Sequence, residues 1–236
     1  MTKCITTLCA AVCLLVPPAW GHMISATITA DNHYALFVGN ADGSMMSLVG
    51  GNELGAGGSP GTYNWSEPES VLFTTDLDTL YLATWSDDSV AQGVLGELDI
   101  NGFPLLTGDF DRWGVFATGA DKDDGAAYPT ESEMATQVAL ANSNSGGPGT
   151  SGGWTSIQVG GMNGVSPWGT LSTIDSGAQW MWWTDGEGSA FMPGGDHDEF
   201  LIFRTSIAAV PVPGAALLGV LGLSTVAWLK RRAAKA

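Results

Sequence analysis

Two acidic clusters, Asp121-Lys-Asp123-Asp124-Gly125 and Asp196-His197-Asp198-Glu199, are the densest groupings of chemically competent side chains in this 236-residue chain. Calcium takes about six to eight oxygen ligands and accepts them from irregular loops. Asp121, Asp123, Asp124, Asp196 and Asp198 are therefore candidate ligands for a structural calcium ion. The first cluster lacks the spacing and terminal glutamate of a helix–loop–helix calcium loop. The same residues equally serve as solvated turn formers, as do the pairs Asp76/Asp78 and Asp109/Asp111. Tryptophan offers a second chemistry, because an indole face stacks on the apolar face of a sugar ring. Trp154 and Trp168 lie beside glycine and proline in loop-like sequence and are the candidate glycan platforms, with Asp87 and Asp88 in an acidic turn as polar partners. Trp85, Trp180 and Trp182 sit inside apolar runs and are expected in the core.

Signatures of catalysis are missing from the sequence. It holds no His-Glu-x-x-His helix and no phosphate-binding loop. Carboxylate pairs abound, but so acidic a chain acquires them by chance, and they do not mark a glycosidase. One enzymatic alternative comes from His22. Cleavage before it would leave an N-terminal histidine, similar to the copper-binding start of lytic polysaccharide monooxygenases. That resemblance requires a second histidine, His33 or His197, and Met23 stands where the family has glycine. The sequence thus favours a non-enzymatic protein, with a polysaccharide-active enzyme or a protein-binding adhesin as alternatives.

These residues need a scaffold, and the scaffold reads as β. Ile24, Ala26 and Ile28 alternate with polar neighbours, Tyr34–Val38 is a second apolar run, and Asn40-Ala-Asp42-Gly43 is a turn signal. Residues 71–75, 79–85, 94–100, 114–118, 154–159, 179–183 and 199–205 predict further strands. Residues 131–141 are the best helical candidate, and a short one. Many short strands with glycine-rich turns predict an antiparallel β-sandwich. The stretch 142–153 is expected to be a long loop within one domain, because neither half has enough strands to close a sandwich.

Charge is segregated along the chain. Residues 22–209 carry all 24 acidic side chains against only Arg112, Lys122 and Arg204, a formal balance of −21. Such a surface disfavours nucleic acid and is compatible with cations or glycans. The other basic residues lie at the two ends. Lys3, the apolar run Cys4–Val16 and the small residues of Ala19-Trp20-Gly21 predict a signal peptide over 1–21. Cys4, Cys9 and Cys13 all fall within it, so the mature chain is expected to fold without disulfides. At the other end no charge occurs from Val210 to Leu229, long enough as a helix to span about 30 Å of hydrocarbon. Lys230, Arg231 and Arg232 then favour the cytoplasmic side.

Val210-Pro211-Val212-Pro213, the glycine-rich apolar run from Gly214 and the cluster Lys230-Arg231-Arg232 together resemble the PEP-CTERM sorting signal of Gram-negative bacteria; Val212 stands at the position of the family's glutamate. The resemblance implies export through the inner membrane, transient anchoring through residues 210–229, and processing by an exosortase-type enzyme. Two ectodomain segments, Thr27–Asn40 and Asp78–Asp88 running into Gly93–Leu98, resemble galactose-binding-like jelly-roll modules. That implies a jelly-roll sandwich over 22–209 and extracellular polysaccharide as a partner. Residues 210–236 are assigned to the sorting segment, and the whole is expected at the cell surface or in the extracellular matrix.

Overall fold

Inward alternation sets the first strand: Ile24, Ala26 and Ile28 are buried while Met23 and Ser25 face out. In a computed structural model of the chain, the structure describes residues 21–52, 64–86, 91–120, 122, 126–145, 150–185, 191 and 200–207. Among these the strands are β1 (His22–Asp31), β2 (His33–Gly39), β3 (Met46–Gly51), β4 (Glu69–Thr75), β5 (Thr79–Trp85), β6 (Gly93–Ile100), β7 (Phe103–Leu106), β8 (Gly114–Ala117), β9 (Thr155–Ser156), β10 (Gln158–Met162), β11 (Gln179–Trp182) and β12 (Leu201–Ser206). One helix, α1 (Glu131–Ser143), lies among them. All described residues belong to a single unit, Gly21–Val212.

The strands form two antiparallel sheets. The first runs β10-β11-β6-β1-β4, with β7 folded back on β6. The second runs β3-β2-β5-β12-β8-β9. Both sheets contain strands from before and after the glycine-rich stretch 142–153, and in the second sheet β12 lies between the earlier strands β5 and β8. The sheets enclose a core in which Ile24, Ile28 and Leu98 of the first meet Leu36, Leu82 and Phe203 of the second. At Asp31–His33 the chain passes from the first sheet to the second.

Both outer faces are partly sheathed. Met134, Val138 and Ala141 recur at helical spacing on α1, and Met134 and Val138 pack on Phe37, Tyr81, Ala83 and Ile202 of the second sheet. Burial on two faces explains why β2 and β5 are buried at every residue and read as continuous apolar runs. Thr130 caps the helix, accepting from Glu133 N while Glu133 Oε2 accepts from Thr130 N at 2.6 Å, and Asn144 closes it in the left-handed region. On the first sheet, Trp168, Leu171, Ile174 and Ala178 cover Leu95 and Trp180. Gly93 makes room for this layer, since a Cβ there would lie 2.7 Å from the Trp180 ring.

Two strands lie outside the sequence expectation. β3 ends in Gly50-Gly51, which weakens its pattern, and β7 contains Pro104, tolerated because β7 pairs only with β6. The run predicted as one strand over 154–159 is two: β9 joins the second sheet and β10 the first, with buried Ile157 at the crossing. Among the described residues no helix is long and apolar enough to cross a membrane; the proposed sorting segment lies outside them.

Candidate functional site

The start of β5, the start of β8 and the end of β12 come together at one end of the second sheet. There they border an open cleft of roughly 410 Å³, lined by Ala41, Thr79, Asp111, Arg112, Trp113, Gly114, Arg204, Thr205 and Ser206. The volume falls in the range of small-molecule sites, about 300–1,000 Å³.

Several residues around the cleft are held by identifiable bonds. Arg204 is paired across the sheet with Tyr81 and Gly114, and it points to the helix side. Its guanidinium carbon lies 4.0 Å from the centre of the Trp154 ring, and Nη1 donates to Asn142 Oδ1 at 3.1 Å. Trp154 Nε1 donates to the same oxygen at 2.8 Å, and Asn142 Nδ2 donates to Ala41 O at 3.0 Å. Asn142 therefore ties the end of α1, the indole, the guanidinium and the Ala41 turn to one point. Partial burial pushes the Arg204 guanidinium below its ordinary range, opposed by attraction to Tyr81.

Arg112, which also lines the cleft, sits on a short turn. Asp111 N and Arg112 N donate to Asp109, to its side chain at 3.2 Å and its carbonyl at 3.0 Å. Trp113 Nε1 anchors the turn by donating to Leu106 O at 2.9 Å. Asp78 Oδ1 accepts from Ala41 N and from Thr79 Oγ1, fixing the third side. Among the described residues no carboxylate lies within ion-pair distance of Arg112 or Arg204.

Of the tryptophans expected as sugar platforms, Trp154 does not line the cleft itself; it is half-buried, against Tyr81 and Phe116, with the cleft-lining Arg204 over its ring. Trp168 is corrected: it is 3 % exposed, stacked on Trp180 at 4.1 Å, with Nε1 donating to Asp31 Oδ2 at 2.7 Å. Proline and glycine neighbours gave it a loop-like setting, but that loop is the cover of the first sheet, so the ring is core. Trp85, Trp180 and Trp182 are fully buried. Asp87, Asp88, Asp121, Asp123, Asp124, Asp196 and Asp198 lie outside the described residues, as do Val210, Pro211, Pro213, Gly214, Lys230, Arg231 and Arg232. Among the described residues no group of three His, Cys, Asp or Glu could hold a metal. Other turn aspartates act as turn formers: Asp42 accepts from Ser44 N, Asp99 from Gly102 N, and Asp175 from Gly177 N.

The histidines are placed apart. His22 Nδ1 is 3.0 Å from Asn101 Nδ2 at the start of β1, whereas His33 is buried and stacked on Trp85 beyond the other end of β1. A ten-residue strand separates them by up to about 30 Å. A copper site joining His22 to His33 does not form in this arrangement, and His197 lies outside the described residues.

The arginine pair went unrecognised in the sequence, where it showed only as a charge imbalance. The available signal was scarcity, since three cations in so acidic a domain each need a reason. Comparison with protein-family models, characterised proteins and solved structures finds no match to this chain.

Proposed function

We propose that this chain is an exported surface protein whose sandwich, of jelly-roll type, is a non-enzymatic structural or glycan-binding component of an extracellular matrix. The observation that carries the ligand-binding part is the cleft lined by Arg112 and by Arg204, the latter stacked on Trp154. Its guanidiniums and hydroxyls are suited to holding a polar ligand, and the rim is fixed in advance by the Asn142 and Asp109 bonds. His22 and His33 are engaged by Asn101 and Trp85, which favours binding over copper chemistry.

The export part rests on the two ends of the sequence. Residues 1–21 direct secretion, and residues 210–229 engage the inner membrane transiently before an exosortase-type enzyme acts on the tail. Extracellular polysaccharide is the partner, the formal charge of −21 disfavours nucleic acid, and the acidic clusters at 121–124 and 196–198 are offered to structural calcium. Cell fractionation tests export: the full chain is expected at the surface, and deletion of residues 210–236 is expected to change its location. An unchanged location contradicts the sorting role. A glycan array tests binding: the full chain is expected to retain at least one class of extracellular polysaccharide and to lose it on Arg112→Gln. No retention of any glycan contradicts the binding role.

A further inference from the structure

The cations of this domain are not scattered. Residues 22–209 hold only three, and two of them, Arg112 and Arg204, line the same cleft. Arg204 is half-buried, yet the partners it meets are neutral: the Trp154 ring and the Asn142 amide. Taking a guanidinium out of water without an anion beside it is costly, and a bound anion would offset that cost. Arginine offers five N–H donors in a planar fork, and Asn142 occupies one of them, so most remain for a ligand.

Resting on the glycan reading above, we infer that this cleft binds a single carboxylate-bearing sugar, a uronic acid residue, within a chain that is otherwise neutral. A guanidinium fork matches a planar carboxylate with two parallel hydrogen bonds. The remaining lining suits sugar hydroxyls: Thr79 and Ser206 can donate or accept, and Asp111 accepts. Asp111 on the same rim also disfavours a dianion such as a phosphate monoester. The field of the whole domain repels a polyanion along its length, so the acidic group must be isolated among neutral neighbours.

The test titrates the full-length chain, held in a polyoxyethylene detergent free of sugar headgroups, by calorimetry. The probes are methyl glucuronoside, its methyl ester, methyl glucoside and glucose 6-sulfate. The glucuronoside is expected to bind at least about tenfold more tightly than the ester, the glucoside and the sulfate. Arg112→Gln and Arg204→Lys are each expected to weaken it by about tenfold or more, the second because a lysine ammonium lacks the fork. Arg112 is exposed, so its variant keeps the fold; unchanged far-ultraviolet circular dichroism and melting temperature confirm this for both. Equal binding of acid and ester, tighter binding of the sulfate, or glucuronoside binding untouched in both variants overturns the inference. If neutral oligosaccharides bind on an array while the acid does not, the glycan reading stands and only this inference falls; if no glycan binds, both fall.

Discussion

The Arg204 guanidinium stacks on the Trp154 ring at 4.0 Å, and both side chains donate to one atom, Asn142 Oδ1. Strand β12, the segment leading into β9 and the end of α1 are thereby joined at the rim of the cleft. The pairing holds a cation in fixed orientation without neutralising it. An arginine over an indole face contributes about 0.5–2 kcal/mol depending on how far it is desolvated.

Asn142→Asp tests whether that uncompensated charge is what a ligand uses. The substitution keeps an acceptor for both Trp154 Nε1 and Arg204 Nη1 while placing a carboxylate beside the guanidinium. The variant gives up the Asn142 Nδ2 bond to Ala41 O and is expected to melt slightly lower than the parent, and to bind methyl glucuronoside about tenfold more weakly, because the anion is already supplied. Calorimetry beside a thermal melt checks both. Undiminished affinity would mean that Arg204 does not face the ligand.

The stacked pair Trp168 and Trp180 gives a stability contrast. Trp180 Nε1 finds no acceptor among the described residues, whereas Trp168 Nε1 donates to Asp31 Oδ2. Trp180→Ala is expected to cost about 3–5 kcal/mol through the cavity it leaves. Trp168→Phe is expected to cost more than Trp180→Phe by about 1–2 kcal/mol, since only the first breaks a bond to a carboxylate. Denaturant midpoints at unchanged slope measure the difference. Equal costs for the two phenylalanine variants would remove Asp31 from the account.

Tyr81 predicts alkaline behaviour. Burial raises its phenol from 10.0 to about 12, with Arg204 opposing and Asp78 adding to the rise, and its hydroxyl donates to Asn40 O at 2.8 Å. The folded state therefore holds this proton more tightly than the unfolded chain does. Its contribution is complete below about pH 10 and is lost as pH rises towards about 12. Tyr81→Phe is expected to flatten the fall in stability across that window. Arg204→Gln is expected to move the phenol titration upward, because the opposing charge is removed. Ultraviolet titration of the folded chain reads the phenolate directly.

Much of this architecture was legible in the sequence, for reasons tied to individual segments. β1 was readable because one face meets solvent and the pattern alternates, and β5 because both faces are covered and the run is continuous. The helix at Glu131–Ser143 announces itself through Thr130-x-x-Glu133 and the spacing of Met134 and Val138. Local patterns cannot show which sheet a strand joins, so the crossing at Ile157 read as one strand. The burial of Trp168 was equally hidden, because its cover comes from β11 and from Asp31, 137 residues away. The cleft was illegible for the same reason: Arg112 and Arg204 are far apart in sequence and meet only through the pairing of β8 with β12.

The indole N–H resonances of the full-length chain, titrated with methyl glucuronoside, test the central claim most directly. Trp154 stacks on Arg204, which lines the cleft, while Trp168 and Trp180 are buried against the first sheet. The account predicts a saturable shift of the Trp154 Nε1–H signal with the Trp168 and Trp180 signals unmoved. A shift at Trp168 with Trp154 unmoved would contradict it.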